Sequence, residues 1–225
     1  NPNYGRSKGM NQGNKTPVMQ ELDEPEKLLP IELVISKLQE FCRRTDGISQ
    51  IIFNYKKLPQ GDQNKILLKK SLIPLLYTLS KEFPGYVLVQ NFIGCLSEEE
   101  MAEIMAVFYG KLNELSFHTN GCRIVQKIVE FGNVKYMQQV TNELKGSIIK
   151  CIQDQNGNHV IQKLIENFPK GYHRELLLEI KGKISILSTH QFGCRAIQRI
   201  FEYCEESDID MILNEVNEKI EFLFS

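Results

Sequence analysis

Residues 155–162 read QNGNHVIQ, and the same pattern returns as TNGCRIVQ at residues 119–126 and as QFGCRAIQ at residues 191–198. The glycine in the third position of each copy recurs every 36 residues, at Gly121, Gly157 and Gly193. A fixed period of this length is typical of stacked helical repeats, in which each unit buries its apolar face against its neighbours.

The period extends towards the N-terminus. One step back from Gly121 lies Gly85, followed five residues later by Gln90, and a weaker copy surrounds Gly47 with a shift of two residues. We place the insertion that causes this shift in the loop around residues 59–61. Apolar positions keep the same register, at Leu79, Leu115, Cys151, Leu187 and Leu223. We therefore expect five repeats, at about 37–74, 75–110, 111–146, 147–182 and 183–218.

The two ends of the chain differ from the repeats. Residues 1–25 are rich in Asn, Gly, Lys, Pro and Gln and poor in apolar residues, so we expect a flexible tail. Helical patterning restarts over 31–44, and we expect a cap at about 26–36, because a stacked array leaves an apolar end exposed. A sixth copy begins near Lys219 and stops at Ser225, so we expect the sequence to be part of a longer array.

Each unit reads as three helices. In the copy at 147–182, residues 148–152 form a short apolar stretch and residues 154–157 form a turn that starts a helix. Apolar residues then recur at helical spacing, at Val160, Ile161, Leu164, Ile165 and Phe168, with Asn158, His159, Gln162 and Lys163 on the opposite face. A third helix is predicted over 173–181, burying Leu176, Leu177, Leu178 and Ile180. Nothing alternates like a strand, so the predicted fold is an all-α solenoid.

Composition and motifs exclude several classes. Lys and Arg number 27 against 28 Asp and Glu, for a formal charge of −1, which excludes a uniformly basic surface. No run of 18 apolar residues occurs, so we expect no membrane span, and no charged segment precedes an apolar one, so we expect no secretory signal. The six cysteines form no C-x-x-C pair and have no metal-ligand spacing to His, so we expect free thiols and no metal. No nucleophile–base set or phosphate loop occurs, so we expect neither an enzyme nor a cofactor.

The polar face of the second helix is repeated in register. Candidate base-contacting residues are Cys122, Gln126, Asn158, Gln162, Cys194 and Gln198, because Gln offers both a donor and an acceptor. Arg123, His159 and Arg195 can lie flat against bases, and Lys127, Lys163 and Arg199 form a cationic column suited to phosphates. The alternative is an ordinary solvated helix face, but the recurrence of one residue type every 36 residues favours function.

Two further columns read as structural. Glu130, Glu166 and Glu202 each follow a cation by three residues and are expected to pair with it. His118 and His190 precede the second helix and are expected to be turn or cap residues rather than ligands.

The segments QDQNGNHVIQ at 153–162 and LSTHQFGCRAIQ at 187–198 strongly resemble repeats of the Pumilio (PUF) family of RNA-binding proteins. The resemblance covers about residues 37–225, and YGRS at 4–7 resembles the segment that precedes the family's repeats. It implies a right-handed curved solenoid of three-helix repeats in a homology domain spanning 26–225. Each repeat would present two side chains to a base edge and one to stacking. The Cys/Gln pairs then imply adenine and the Asn/Gln pair uracil, so repeats three to five would read 5′-A-U-A-3′.

The resemblance also implies partners. Family members have eight repeats and bind 3′ untranslated regions of messenger RNA, lowering translation or stability. For this chain it implies single-stranded messenger RNA as partner, protein effectors on the convex face, a monomer without membrane contact and a cytoplasmic location.

Two copies depart from the pattern. The second has Tyr86, Val87 and Gln90, from which weaker RNA contacts are expected, and the first has Ile48, Ser49 and Ile52, from which little base choice is expected.

Two other binding functions stay open at this point. One is a divergent family member that binds ribosomal RNA without base choice, which the degenerate first copies favour. The other is a protein-binding solenoid of the armadillo or HEAT type, which would carry an apolar or Asn ladder on its inner face. The sequence shows no such ladder.

Overall fold

The structure, a computed structural model, describes residues 22–210 and 212–214. Within these residues it contains helices and no strand, which confirms the all-α prediction. The helices are α1 Ile31–Ser36, α2 Leu38–Phe41, α3 Thr45–Lys57, α4 Gln63–Leu72, α5 Leu76–Leu79, α6 Gly85–Ile93, α7 Glu98–Phe108, α8 Leu112–Phe117, α9 Gly121–Glu130, α10 Val134–Leu144, α11 Ile148–Gln153, α12 Gly157–Asn167, α13 Arg174–Ile180, α14 Ile184–Thr189 and α15 Gly193–Tyr203. A 3₁₀ turn, Ile73–Leu75, precedes α5, and residues 206–210 and 212–214 are helical.

From α2 onward the helices recur in groups of three, as in α8–α9–α10 and α11–α12–α13. The second helices form a row in which α3, α6, α9, α12 and α15 each pack against the next. Residues at equivalent positions of these helices therefore recur along one surface of an all-α solenoid. No helix among the described residues has the length and apolar character to cross a membrane.

A glycine begins the second helix in four of the five groups and lies in its first turn in the remaining one, α3. A Cβ atom placed on it would meet the carbonyl oxygen of the residue six positions earlier, at the end of the first helix, at 2.5–3.0 Å. The pairs are Gly47 with Phe41, Gly85 with Leu79, Gly121 with Leu115, Gly157 with Cys151 and Gly193 with Leu187. The glycine column is therefore required for packing, and the weak first copy shares the geometry of the others.

In the last three copies, the residue three positions before that glycine caps the second helix. His118 Nδ1 accepts hydrogen bonds from the backbone N–H groups of Asn120 and Gly121, both at 3.2 Å. Asp154 Oδ1 takes the same place in the next copy at 2.8 Å, and His190 Nδ1 in the one after at 3.2 and 3.3 Å. The prediction that His118 and His190 are cap residues is confirmed. The caps satisfy backbone donors that a helix start leaves free.

Asparagine side chains tie successive groups together. Asn120 Nδ2 donates to the carbonyl of Lys81 at 3.1 Å, and Asn156 Nδ2 donates to the carbonyl of Phe117 at 2.9 Å. Donors and acceptors are each 36 residues apart. Phe192 occupies the next position of this column and has no side-chain donor, so the tie is not repeated there.

Some expected boundaries and contacts differ. The stretch 31–44 forms two short helices interrupted at Lys37, whose φ of −111° is not helical. The third helix of the fourth copy is shorter than expected, Arg174–Ile180, and Leu178 is 53% exposed although burial was predicted. Three consecutive leucines at about 100° per residue cannot share one face, and Leu176 and Leu177 occupy the buried side.

The predicted ends of the chain are only partly described. Of the expected tail, 1–25, only residues 22–25 belong to the described part, and the truncated sixth copy from 219 lies outside it. Residues 27–29 lie against α3, where Gln50 accepts a hydrogen bond from the Leu29 N–H and donates one to the Lys27 carbonyl, both at 2.8 Å. This segment covers part of the first repeat.

The loop after α3, which carries the predicted insertion, is held by Glu100. The Tyr55 hydroxyl donates to Glu100 Oε1 at 2.6 Å, and Gln60 Nε2 donates to Oε2 at 3.5 Å. Glu100 also forms a capping box with Ser97 at the start of α7. Burial opposes ionisation of Glu100, but the Ser97 N–H and the Tyr55 hydroxyl outweigh it and lower the pKa of this carboxyl.

We predict that Gly157→Ala lowers the free energy of unfolding by about 1–3 kcal/mol, as overpacking does. The new Cβ would lie 2.7 Å from the Cys151 carbonyl oxygen. Urea unfolding followed by circular dichroism measures the change. Gly94→Ala is the matched control, because its nearest neighbours are at 3.4 Å or more and its φ is −67°. Equal stability of the two variants would contradict the packing account.

We predict that Glu100 makes stability depend on acid pH. Its folded pKa is lowered, so its contribution is present above the ordinary carboxyl pKa of about 4.3 and is lost as pH falls through the folded value. The difference in free energy of unfolding between wild type and Glu100→Gln should shrink as pH is lowered from 6 to 3. The exposed Glu32→Gln is the control, and a difference that stays constant over this range would refute the prediction.

Candidate nucleic-acid interface

The predicted site residues of the last three copies lie on the row formed by α9, α12 and α15. We call the surface that carries their base-edge and stacking candidates the reading face; it comprises Cys122, Arg123 and Gln126, then Asn158, His159 and Gln162, then Cys194, Arg195 and Gln198. The structure brings these triplets together, because α9 packs against α12 and α12 against α15. Gln126 and Gln162 are partly exposed and Gln198 is exposed.

The stacking column is a line of flat side chains. His159 lies between the two arginines: burial and the positive charges of Arg195 and Arg123 lower the pKa of its imidazole. The ring is therefore neutral at neutral pH. The Arg123 guanidinium lies 5.5 Å from the ring centroid of Tyr86, which supports it from the second copy. Alternating cationic and neutral planes suit stacking against bases without a continuous positive charge.

In α9 and α12 the base-edge side chains form hydrogen bonds within their own helices. Gln126 Nε2 donates to the Cys122 carbonyl at 3.2 Å, and Gln162 Nε2 donates to Asn158 Oδ1 at 2.8 Å. Asn158 was predicted to share the exposed face with Gln162 and is instead fully buried. The reason is local, because its Nδ2 donates to the carbonyls of Asp154 and Gln155 at 2.7 and 2.9 Å and Gln162 covers its oxygen.

Cys122 of this column is a neutral thiol rather than a nucleophile. Burial raises the pKa of Cys122 to about 11, with Arg123 opposing the shift, and its Sγ donates to the Thr119 carbonyl at 3.4 Å. All six cysteines are unpaired. The described part of the chain contains no group of three or more His, Cys, Asp or Glu arranged to hold a metal ion.

The cationic column is paired throughout with carboxylates. Lys127 lies 3.5 Å from Glu130 and Lys163 lies 3.3 Å from Glu166, while Arg199 bonds Glu202, so the predicted pairs three residues apart are confirmed. Two further pairs cross between repeats and were not predicted. They join Lys163 to Glu130 at 3.3 Å and Arg199 to Glu166 at 2.9 Å. The shared 36-residue period of the two columns was the signal that could have found them.

The first two copies contribute little side-chain surface. Tyr86 and Val87 are 9% and 3% exposed, and Gln90 Nε2 is turned to the Arg123 carbonyl at 3.4 Å. Ile48 and Ile52 are fully buried. A cleft of about 960 Å³ opens at this end, and Val87 lines it together with segment 22–29 and carboxylates such as Glu40 and Asp46. The well-formed triplets are those of the last three copies.

Comparisons with known proteins agree with this geometry. The Pumilio-family RNA binding repeat matches residues 111–145, 147–181 and 183–216. A comparison with curated protein sequences gives no significant match. The solved Puf3 RNA binding domain bound to the Cox17 RNA 3′ UTR recognition sequence site A is 30% identical, with a TM-score of 0.76 over 88% of this chain and 57% of that one.

More distant solved structures share the fold. PUF-8 in complex with PBE-RNA is 24% identical with a TM-score of 0.76, over 87% of this chain and 57% of that chain. The RNA-binding domain of yeast Puf5p bound to AAT2 RNA is 21% identical with a TM-score of 0.73, over 86% and 55%. The chain spans a little more than half the length of each solved domain. Residues 111–216 of the chain therefore contain Pumilio-family repeats, and its solenoid fold is shared with these solved domains.

Proposed function

We propose that the chain is a sequence-specific, single-stranded RNA-binding module without catalytic activity. The observation that carries the proposal is the placement of three equivalent triplets on the adjacent helices α9, α12 and α15. The similar Puf3 domain was solved with a 3′ UTR sequence, which supports extending the proposal to messenger RNA 3′ untranslated regions. In this proposal the protein acts in the cytoplasm as a monomer, binds effector proteins on its convex face and lowers translation or stability of its target.

Stacking would supply much of the affinity. A base inserted between successive copies would lie against the planes of Arg123, His159 or Arg195, and each such contact contributes roughly 1–3 kcal/mol. Three bases then give about 3–9 kcal/mol before the association cost, which subtracts several kcal/mol. The chain by itself is accordingly expected to bind weakly.

Base choice would come from the column of Cys122, Asn158 and Cys194 with their glutamines. Cys/Gln pairs favour adenine and the Asn/Gln pair favours uracil in this family, which gives 5′-A-U-A-3′ for repeats five to three. At the central position Gln162 must rotate away from Asn158, exchanging their 2.8 Å hydrogen bond for bonds to the base. That exchange adds specificity, because an unsuitable base would leave the buried Asn158 Oδ1 without a hydrogen-bond donor.

One observation favours a second function, binding of ribosomal RNA without base choice. Apart from Gln90, the reading positions of the first two copies are buried. In the third and fourth copies, the first base-edge residue is buried and the glutamine is only partly exposed. A module of this kind would prefer folded RNA and would be insensitive to the sequence of a single strand.

We predict tighter binding to a single-stranded RNA carrying A-U-A than to a matched strand carrying C-C-C. Fluorescence polarisation with labelled strands measures both dissociation constants, and a hairpin with A-U-A in its stem distinguishes the two functions. Equal affinity for the two single strands would end the proposal of sequence reading. A preference for the hairpin would favour the second function.

We predict that Cys122→Asn moves the preference at one position from adenine to uracil. The change converts the third copy to the Asn/Gln pair found at Asn158 and Gln162. The ratio of affinities for A-U-A and A-U-U should change by about tenfold, equivalent to about 1.4 kcal/mol. Cys95→Asn is the control and should leave the ratio unchanged, because the half-buried Cys95 lies in the turn after α6. An unchanged ratio in Cys122→Asn would remove this residue from base recognition.

A further inference from the structure

The six charged residues beside the reading face form a continuous chain of ion pairs, which we call the charge ladder. It alternates in sign from one end to the other, as Lys127, Glu130, Lys163, Glu166, Arg199 and Glu202. The inner members each have two partners of opposite charge. Side-chain exposure is only 19% for Lys163 and 20% for Glu166, so water screens these pairs less than surface pairs.

The charge ladder lies alongside the proposed RNA path. Lys127 follows Arg123 by four residues and Glu130 follows it by seven, which places all three on one side of α9. At 1.5 Å per residue the charge ladder runs about 6–10 Å from the stacking column. A nucleic-acid backbone bound across the reading face would pass within reach of these charges.

The three cations of the charge ladder all form ion pairs with carboxylates. Lys163 lies 3.3 Å from both Glu130 and Glu166; burial works against the charged ammonium, but the two carboxylates prevail and raise its pKa. Arg123 and Arg195 differ, since neither makes an ion pair within the described ranges. The ion pairs of the charge ladder favour a different role for the cationic column from the predicted contact with phosphates.

We propose that the charge ladder is a neutral border that withholds three cations from RNA phosphates, and that Glu130 and Glu166 are specificity-determining residues. This inference rests on the proposed RNA binding. A phosphate that approaches the charge ladder meets as many carboxylates as cations. It therefore contributes little binding energy, whatever the sequence of the RNA. Discrimination then depends on stacking and base edges, because the affinity that all sequences share is kept low.

The inference makes a quantitative statement about salt. For single strands the logarithm of the binding constant falls with the logarithm of salt concentration by about 0.7 for each neutralised phosphate. Two free guanidinium groups, Arg123 and Arg195, give a slope of about −1.4, whereas all five cations acting freely would give about −3.5. The wild-type slope is therefore expected near the smaller value.

The test uses the full chain and the A-U-A and C-C-C strands, with binding measured by fluorescence polarisation between roughly 50 and 200 mM salt. The variant Glu130→Gln with Glu166→Gln should steepen the slope by about 1.4. Its gain in affinity over wild type should therefore shrink about sevenfold as salt is raised across this range. Affinity for C-C-C should rise more than affinity for A-U-A. The matched control, Glu175→Gln with Glu206→Gln, makes the same change in net charge at exposed positions outside the ladder.

Glu130 and Glu166 also join neighbouring repeats, so their replacement could disturb the fold. A second variant tests the same charge effect without removing a contact between repeats. Glu202→Gln removes an end carboxylate that pairs only with Arg199 of its own helix, and should steepen the slope by about 0.7. If wild type separates the two strands but both ladder variants match the control, the inference is overturned. If wild type does not separate the strands, the proposed function fails instead.

Discussion

The close contact between the first and second helices of each repeat sets the arrangement of everything else. A glycine in the first turn of the second helix lies against a carbonyl oxygen at the end of the first, where a Cβ would approach to 2.5–3.0 Å. This contact fixes where the second helix begins and how it is rotated. Because it recurs at all five copies, including the one displaced by two residues, the second helices adopt a common orientation and present equivalent residues on a common surface.

Ties between repeats keep these surfaces in register. The hydrogen bond from Asn156 to the Phe117 carbonyl acts at the start of the second helix, and the ion pair from Lys163 to Glu130 acts near its end. A repeat held at both ends can offer its side chains at a regular spacing, as recognition of successive bases requires. The same ion pairs lower the positive charge available to phosphates. In the proposed function the ion pairs therefore contribute both to the spacing of the repeats and to the low charge beside the RNA.

Much of the fold and of the site could be predicted from the sequence, because a residue that every repeat needs recurs every 36 residues. The helical class, the caps at His118 and His190 and the pairing of Glu130 with Lys127 followed in this way. Burial of Asn158 could not be predicted, since helical spacing places it beside Gln162 and only local carbonyls turn it inward. The exposure of Leu178 likewise depends on the rotation of a short helix. The shared period of the two charged columns was a signal for pairs between repeats, but which residues meet also depends on how far one copy is turned relative to the next.

We propose that α9, α12 and α15 each contact one base of a single strand. This proposal is tested most directly by cross-linking with RNA that carries 4-thiouridine as the central base of A-U-A, followed by mass spectrometry of the modified peptide. The expected adduct lies on residues 157–167, the extent of α12, and moves to α9 or α15 when the thiolated base is shifted by one position. Adducts on the third helices, or on α12 regardless of the position of the thiolated base, would contradict the account.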